Sequence, residues 1–260
     1  MTKDISVSLR WNTAIRHTYK EQELFGKEEK MYTFDSRVRY SEIDHTGNMT
    51  LPALINYFQD CSTFQSEDIG LGTEVLKAKK KAWILSYWQI VIERLPALGE
   101  RITAGTFATE FKGLYGNRNF VLDDARGNRL AYANSVWVFM DMEKGRPARP
   151  EPEDVLPYGS EPALEMEYED RKIRLPENLE KKPSFPVRKY HIDTNEHVNN
   201  CQYVQMALEV LPEETRVRQI RVEYKKSAVL GDVIFPKVAR EEKTELCDEN
   251  GKPYAVIEIK

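Results

Sequence analysis

Two segments of the chain place apolar residues at helical spacing, and each is followed by apolar runs of strand length. The first helical segment covers 51–70 (LPALINYFQDCSTFQSEDIG), with Pro52 suited to a first turn and Leu54, Ile55, Tyr57, Phe58 and Phe64 expected in the core. The second covers 199–212 (NNCQYVQMALEVLP), where Tyr203, Met206, Ala207 and Val210 fall at helical spacing. Strand runs follow in both cases, at 83–95 (WILSYWQIVIERL) and 217–229 (VRQIRVEYKKSAV). Each run leads to a similar turn, Leu98-Gly99-Glu100 or Leu230-Gly231-Asp232. Further on, Asp124-Ala125-Arg126-Gly127 and Asp248-Glu249-Asn250-Gly251 are turn signatures that introduce 130–141 (LAYANSVWVFMD) and 253–260 (PYAVIEIK). The order in each half is a short strand, a turn-rich motif, one helix and about four antiparallel strands. One helix per set of strands predicts an α+β architecture with the helix packed on one sheet face.

Between the halves, residues 147–186 hold eight of the thirteen prolines, a density that leaves little room for a regular helix or a central strand. This stretch reads as a linker wrapping between two units, 31–146 and 187–260. Residues 1–30 are polar and aperiodic and lack an apolar core of signal-peptide type. They read as an N-terminal extension, either flexible or upstream sequence added by a misassigned start.

The densest chemistry lies in Asp193-Thr194-Asn195-Glu196-His197-Val198-Asn199-Asn200. If extended, this D-x-N-x-H pattern points an acid, an amide and an imidazole to one side. Three polar side chains on one face do not suit a core strand, since buried polar groups need partners. Plainer uses exist for each: Asp193 as a turn residue, Asn195 as a helix cap, His197 as a hydrogen-bonded structural histidine. An earlier stretch, Ile43-Asp44-His45-Thr46-Gly47-Asn48, aligns with Ile192-Asp193-Thr194-Asn195-Glu196-His197. It has Thr46 in place of the amide and Asn48 in place of the imidazole, so the first copy lacks the titratable group. His17 and His191 read as surface residues.

Composition narrows the rest. The formal charge of −4 argues against nucleic acid as a partner, and no apolar run has membrane-spanning length. Cys61, Cys201 and Cys247 are odd in number and widely spaced, which suggests reduced thiols and a cytoplasmic location. The run Lys77-Ala78-Lys79-Lys80-Lys81 is either a solvated loop before a strand or a docking patch for an acidic partner.

In its motifs the chain resembles the bacterial and plant acyl-acyl carrier protein thioesterases. The resemblance rests on Tyr40-x-x-x-Asp44 before the long helix, on Trp83-Ile84-Leu85, and above all on Asp193-x-Asn195-x-His197-Val198-Asn199-Asn200-x-x-Tyr203. It implies a double hotdog, two tandem antiparallel sheets each wrapped around a central helix. In that family the C-terminal hotdog is catalytic and the N-terminal one supplies the acyl groove. The implied reaction is hydrolysis of fatty acyl-carrier protein to free acid, ending chain elongation, with no cofactor and the acyl carrier protein as partner. The chain departs from the pattern at Ser227-Ala228, where the family commonly has Glu and sometimes Cys after the run Tyr224-Lys225-Lys226. Either Asp193 carries the acidic function alone, or Ser227 orders the water.

For this chemistry His197 is the natural general base, because imidazole titrates near working pH. Asp193 could orient it or the water, Asn195 could position water or carbonyl, and Asn199 and Ser227 are auxiliary candidates. Backbone N–H groups near Val198 to Asn200 could hold the oxyanion at the positive end of the helix. One His with one carboxylate is too small a set for a zinc site. Alternatives are an acyl-CoA thioesterase of the same fold, a double-hotdog 3-hydroxyacyl-thioester dehydratase, or a non-catalytic acyl-binding protein. The first-repeat Asn48 argues against the dehydratase, which often carries its His in that half. A monomer or a homodimer is compatible with two hotdogs in one chain.

Overall fold

The computed structural model describes residues 31–212, 217–239 and 243–260, and residues 31–260 form one compact unit. The expectations for residues 1–30, and for His17 within them, lie outside the described residues. The elements in order are β1 (Tyr32–Arg37), α1 (Leu51–Asp68), α2 (Thr73–Ala78), β2 (Lys81–Ile92), β3 (Arg101–Lys112), β4 (Tyr115–Asp124) and β5 (Arg129–Asp141). Four short elements follow: β6 (Arg146–Pro147), α3 (Pro152–Val155), β7 (Glu180–Lys181) and β8 (Phe185–Pro186). The chain then forms α4 (Asn200–Leu208), β9 (Gln219–Tyr224), β10 (Val233–Val238), β11 (Lys243–Cys247) and β12 (Pro253–Ile259).

The strands make one antiparallel sheet with the path β1-β3-β4-β5-β2-β9-β12-β11-β10, and β8 pairs with β10 at the far end. Taken from the two ends, the orders β1-β3-β4-β5-β2 and β8-β10-β11-β12-β9 are the same. The halves therefore meet edge to edge where β2 pairs with β9, from Tyr87 opposite Glu223 to Val91 opposite Gln219. This joining hides the β2 and β9 edges that each half alone would expose.

One face of the sheet carries the two helices. Phe58 of α1 packs its ring 6.1 Å from Trp88 and 5.4 Å from Phe120, and all three are fully buried. In α4, Tyr203, Met206 and Ala207 are buried as their spacing predicts. That helix ends at Leu208, so Val210 lies beyond it and is only partly buried. Phe64 is also not core: it is 45% exposed, its ring edge-on to Phe34 at the rim of the sheet. Next to it on α1, Gln65 accepts through Oε1 from the buried Arg118, which also donates to Thr106 Oγ1 at 3.2 Å and has the Tyr158 ring 5.1 Å from its guanidinium. Burial pushes the Arg118 pKa down to about 10.

The proline-rich stretch crosses the opposite face. An irregular segment cannot pair its own backbone, so the sheet supplies partners from fully buried polar side chains in mid-strand. Asn119 Oδ1 accepts the Leu164 N–H at 3.0 Å. Gln89 donates to the Glu167 carbonyl at 2.8 Å and accepts the Glu169 N–H at 3.0 Å. The lysine run is neither a plain loop nor a free patch: α2 takes its first part, Lys79 and Lys80 pair with Glu153 and Glu143, and Lys81 bonds the buried Asp154 at 2.7 Å.

Candidate active site

The eight residues from Asp193 to Asn200 do not run extended. They form a closed turn in which Ile192 bridges Val198, the Asp193 N–H donates to the His197 carbonyl at 2.8 Å, and Glu196 takes φ 62°. The same-side alternation of Asp193, Asn195 and His197 is therefore replaced by turn geometry. The cause is Asp193 itself, whose Oδ1 accepts the backbone N–H of Asn195 at 2.8 Å and of His197 at 3.3 Å. Glu196 is held in the left-handed region, which costs a non-glycine residue on the order of 1 kcal/mol or more and is concentrated at functional sites.

The first repeat builds the same turn. There Ile43 bridges Met49, the Asp44 N–H donates to the Asn48 carbonyl, and Gly47 takes φ 82° at the place of Glu196. The two copies differ in their side chains. In the first, Asn48 Nδ2 donates to Thr46 Oγ1 at 2.9 Å and Thr46 donates to Asp44 Oδ1 at 2.6 Å, a closed chain that holds the Asp44 pKa below its ordinary value. In the second, the Asn195 amide and the His197 imidazole make no hydrogen bond among the described residues. Asn195 is exposed and His197 half-buried. One copy satisfies itself, and the other presents its donors and acceptors outward.

The following residues attach this turn to both halves. Asn199, not Asn195, caps α4, its Oδ1 accepting the Cys201 N–H at 3.0 Å, as Thr50 caps α1 in the first repeat. Asn199 Oδ1 also receives Gln59 Nε2 of α1 at 3.4 Å, and Asn200 Nδ2 donates to Gln59 Oε1 at 3.3 Å. The Val198 N–H is bonded to the Ala228 carbonyl and the Asn199 N–H to the His191 carbonyl, both at 2.9 Å. Neither is available to an oxyanion. Of the three amides considered, the Asn200 N–H is the one left uncommitted among the described residues.

Ser227 is exposed and makes no hydrogen bond among the described residues. It belongs to the segment that runs beside the turn, since His197 bridges Val229 and the Val198 N–H donates to the Ala228 carbonyl. Cys201 lies in the first turn of α4, where burial pushes its thiol up to about 11; Cys61 and Cys247 are likewise free and buried. His191 is a correction: it is 7% exposed and its Nδ1 accepts the Arg188 N–H at 3.0 Å, an anchor of the short turn before the motif. Nothing in composition marks it, because its partner is a backbone amide. Replacing Asn199 by alanine is expected to lower stability by about 1 kcal/mol, or roughly 2–4 °C in thermal midpoint. A calorimetric scan with an unchanged midpoint would contradict its capping role.

Family models place this architecture. The acyl-ACP thioesterase N-terminal domain matches residues 29–158, and the C-terminal domain matches residues 176–253. The chain belongs to the acyl-ACP thioesterase family. Among curated relatives it is similar to the chloroplastic acyl-acyl-carrier-protein hydrolase FATB2 of Cuphea viscosissima, 26% identical over 194 residues, covering 68% of this chain and 46% of that protein. The chain thus spans about half the length of the curated relatives it matches first. Among solved structures it resembles an acyl-ACP thioesterase from Bacteroides thetaiotaomicron, with TM-score 0.82, 22% identity and 90% and 99% of the two chains covered. A 12:0-ACP thioesterase from Umbellularia californica gives TM-score 0.74 at 18% identity, covering 88% and 96%. Both share the double-hotdog fold. The motif turn lies within the second family domain and its copy within the first.

Proposed function

We propose that this chain hydrolyses the thioester of a fatty acyl-acyl carrier protein to free fatty acid and carrier thiol. The observation that carries the proposal is the unpartnered imidazole and amide of the second turn, set beside a first copy whose equivalents are bonded to one another. His197 takes the proton of the attacking water and returns it to the departing thiolate. Asn195 positions the water or the thioester carbonyl. Asp193 acts through the turn: its carboxylate fixes the backbone on which Asn195 and His197 are mounted. The Asn200 N–H, at the start of a nine-residue helix, is the backbone donor for the developing oxyanion.

In this reading residues 31–146 supply the acyl groove between α1 and the sheet, and residues 187–260 supply the chemistry. Arg188 and Lys189 are exposed immediately before the motif turn, a placement that suits an acidic carrier protein. Lys225 and Lys226 are less suited, being engaged with Glu223 and Asp248. The test is a panel of acyl chains offered both on carrier protein and on CoA, scored for released acid. A higher kcat/KM on carrier protein for the preferred chain is expected. Equal or faster release from CoA would remove the carrier protein from the proposal and leave an acyl-CoA thioesterase of the same fold.

A further inference from the structure

In the hydrolase reading the oxyanion donor is the backbone N–H of Asn200, the first residue of α4. Such a donor works only where it is held in place, because a shift of about 1 Å in a reacting group can cost roughly 10²-fold in rate. Helix ends fray, so a first-turn amide needs fixing from outside its own helix. Asn200 has two such fixings. The Tyr224 hydroxyl of β9 donates to its carbonyl at 3.0 Å. Its side-chain Nδ2 donates to Gln59 Oε1 at 3.3 Å, and Gln59 Nε2 donates in turn to Oδ1 of the cap residue Asn199 at 3.4 Å.

The second fixing comes from the other repeat. Gln59 lies on α1, where its carbonyl accepts the Ser62 and Thr63 hydroxyls, both at 2.9 Å. Its single side-chain amide bonds the cap and the first residue of α4 at once, the oxygen accepting and the nitrogen donating. Neither bond is short, so the grip depends on the pair; all three side chains are half-buried, away from full competition with water. The link has no counterpart in the reverse direction. Counted from the helix caps Thr50 and Asn199, the equivalents of Gln59 and Asn200 are Leu208 and Leu51, whose side chains neither donate nor accept. The polar pair occurs only where the helix start belongs to the turn with the unpartnered imidazole.

We infer that Gln59 is a positioning residue for the hydrolysis, holding the start of α4 so that the Asn200 N–H meets the oxyanion as it forms. It touches no reacting atom. The first repeat then does more than shape an acyl groove: one of its side chains sets the geometry of a donor in the second.

The inference rests on the hydrolase reading, and the test separates the two. Steady-state hydrolysis of acyl-carrier protein is measured for the wild-type chain, Gln59→Leu, Gln59→Glu, Asn200→Ala and Gln59→Leu/Asn200→Ala, with circular dichroism confirming folding. Gln59→Leu is expected to lower kcat by about 10- to 100-fold with KM changed by less than about twofold. Asn200→Ala keeps the backbone N–H but loses the grip, so kcat should fall in the same way. Added to Gln59→Leu it should cost no more than about a further twofold, since the link is already cut. Gln59→Glu supplies a pH signature. A protonated carboxyl donates to Asn199 and accepts from Asn200 as the amide does, whereas an ionised one opposes Asn199 Oδ1 and sets negative charge beside the oxyanion donor. The ratio of variant to wild-type kcat should therefore rise as pH falls through the carboxyl range. A Gln59→Leu kcat within about threefold of wild type overturns the inference, even where the thermal midpoint falls. So do losses that multiply in the double variant, or a Gln59→Glu ratio independent of pH. If Gln59→Leu does not fold, Asn200→Ala and Gln59→Glu decide by the same criteria. A wild-type chain that releases no acid, or whose rate is independent of His197, refutes the hydrolase reading; activity that needs His197 but not Gln59 refutes this inference alone.

Discussion

Replacing His197 by alanine is expected to lower kcat for acyl-carrier protein hydrolysis by about 10²–10⁴-fold while leaving the fold and KM nearly unchanged. The size of the loss follows from the role. Without a base, the water must be deprotonated in the transition state by solvent, and proton transfer by a positioned side chain is worth that range. The selectivity of the loss follows from the structure. The imidazole makes no hydrogen bond among the described residues, so its removal breaks no internal network. The turn stands on backbone bonds: the Asp193 N–H to the His197 carbonyl and the His197 N–H to Asp193 Oδ1 both survive alanine. The first repeat already shows this turn stable without an imidazole, since Asn48 occupies the equivalent place. Stopped assays on one acyl chain, with thermal midpoints for both proteins, check both halves of the expectation. A variant that keeps more than about a tenth of the wild-type kcat would remove His197 from the role of general base.

The duplication was legible because it is written in residues with narrow physical uses. Asp124 and Asp248 each accept two backbone N–H groups of their own turns, and Gly127 and Gly251 take φ 80° and 75°, so each Asp-x-x-Gly signature marks a turn. Strand and helix order followed from those punctuation marks and from the apolar spacing between them. The site was only half legible. Its residue types were visible, but its geometry was inferred from an extended segment. Asp193 instead spends its oxygen on the local backbone, a competition between side chain and strand that a periodicity argument does not weigh. The capping residue was open for a related reason, since Asn195 and Asn199 are chemically identical and only the helix start distinguishes them.

Other features were out of reach because they depend on contacts between distant segments. Gln89 and Asn119 look like polar interruptions of apolar strands; they are the docking points of a linker some 45 to 80 residues further along the chain. His191 resembles any surface histidine until a backbone amide is found on its Nδ1.

The largest effect on stability is expected at the seam between the halves. Arg221 of β9 is buried, 5% exposed, and donates to Glu258 of β12 at 2.6 Å, to the Tyr87 hydroxyl of β2 at 3.2 Å and to the Asp170 carbonyl of the linker. One guanidinium thus joins both halves of the sheet and the segment that connects them. Arg221→Leu would leave Glu258 buried, with Lys243 and Lys260 at 3.4 and 3.5 Å as partial compensation, and would strip the Tyr87 hydroxyl and the Asp170 carbonyl of their donor. Removing one partner of a buried ion pair costs roughly 3–5 kcal/mol, because the other charge stays in a medium that solvates it poorly. In a chain of this size that corresponds to a fall of about 6–20 °C in thermal midpoint. The double variant Arg221→Leu/Glu258→Leu separates the cause. If the cost is the orphaned charge, removing Glu258 as well should recover about half of it or more, since replacing both members of a buried pair by apolar groups is often nearly neutral. If the double variant is less stable than the single one, the stabilising element is the hydrogen-bond junction with Tyr87 and the linker, and denaturation would then show the linker releasing before the sheet unfolds.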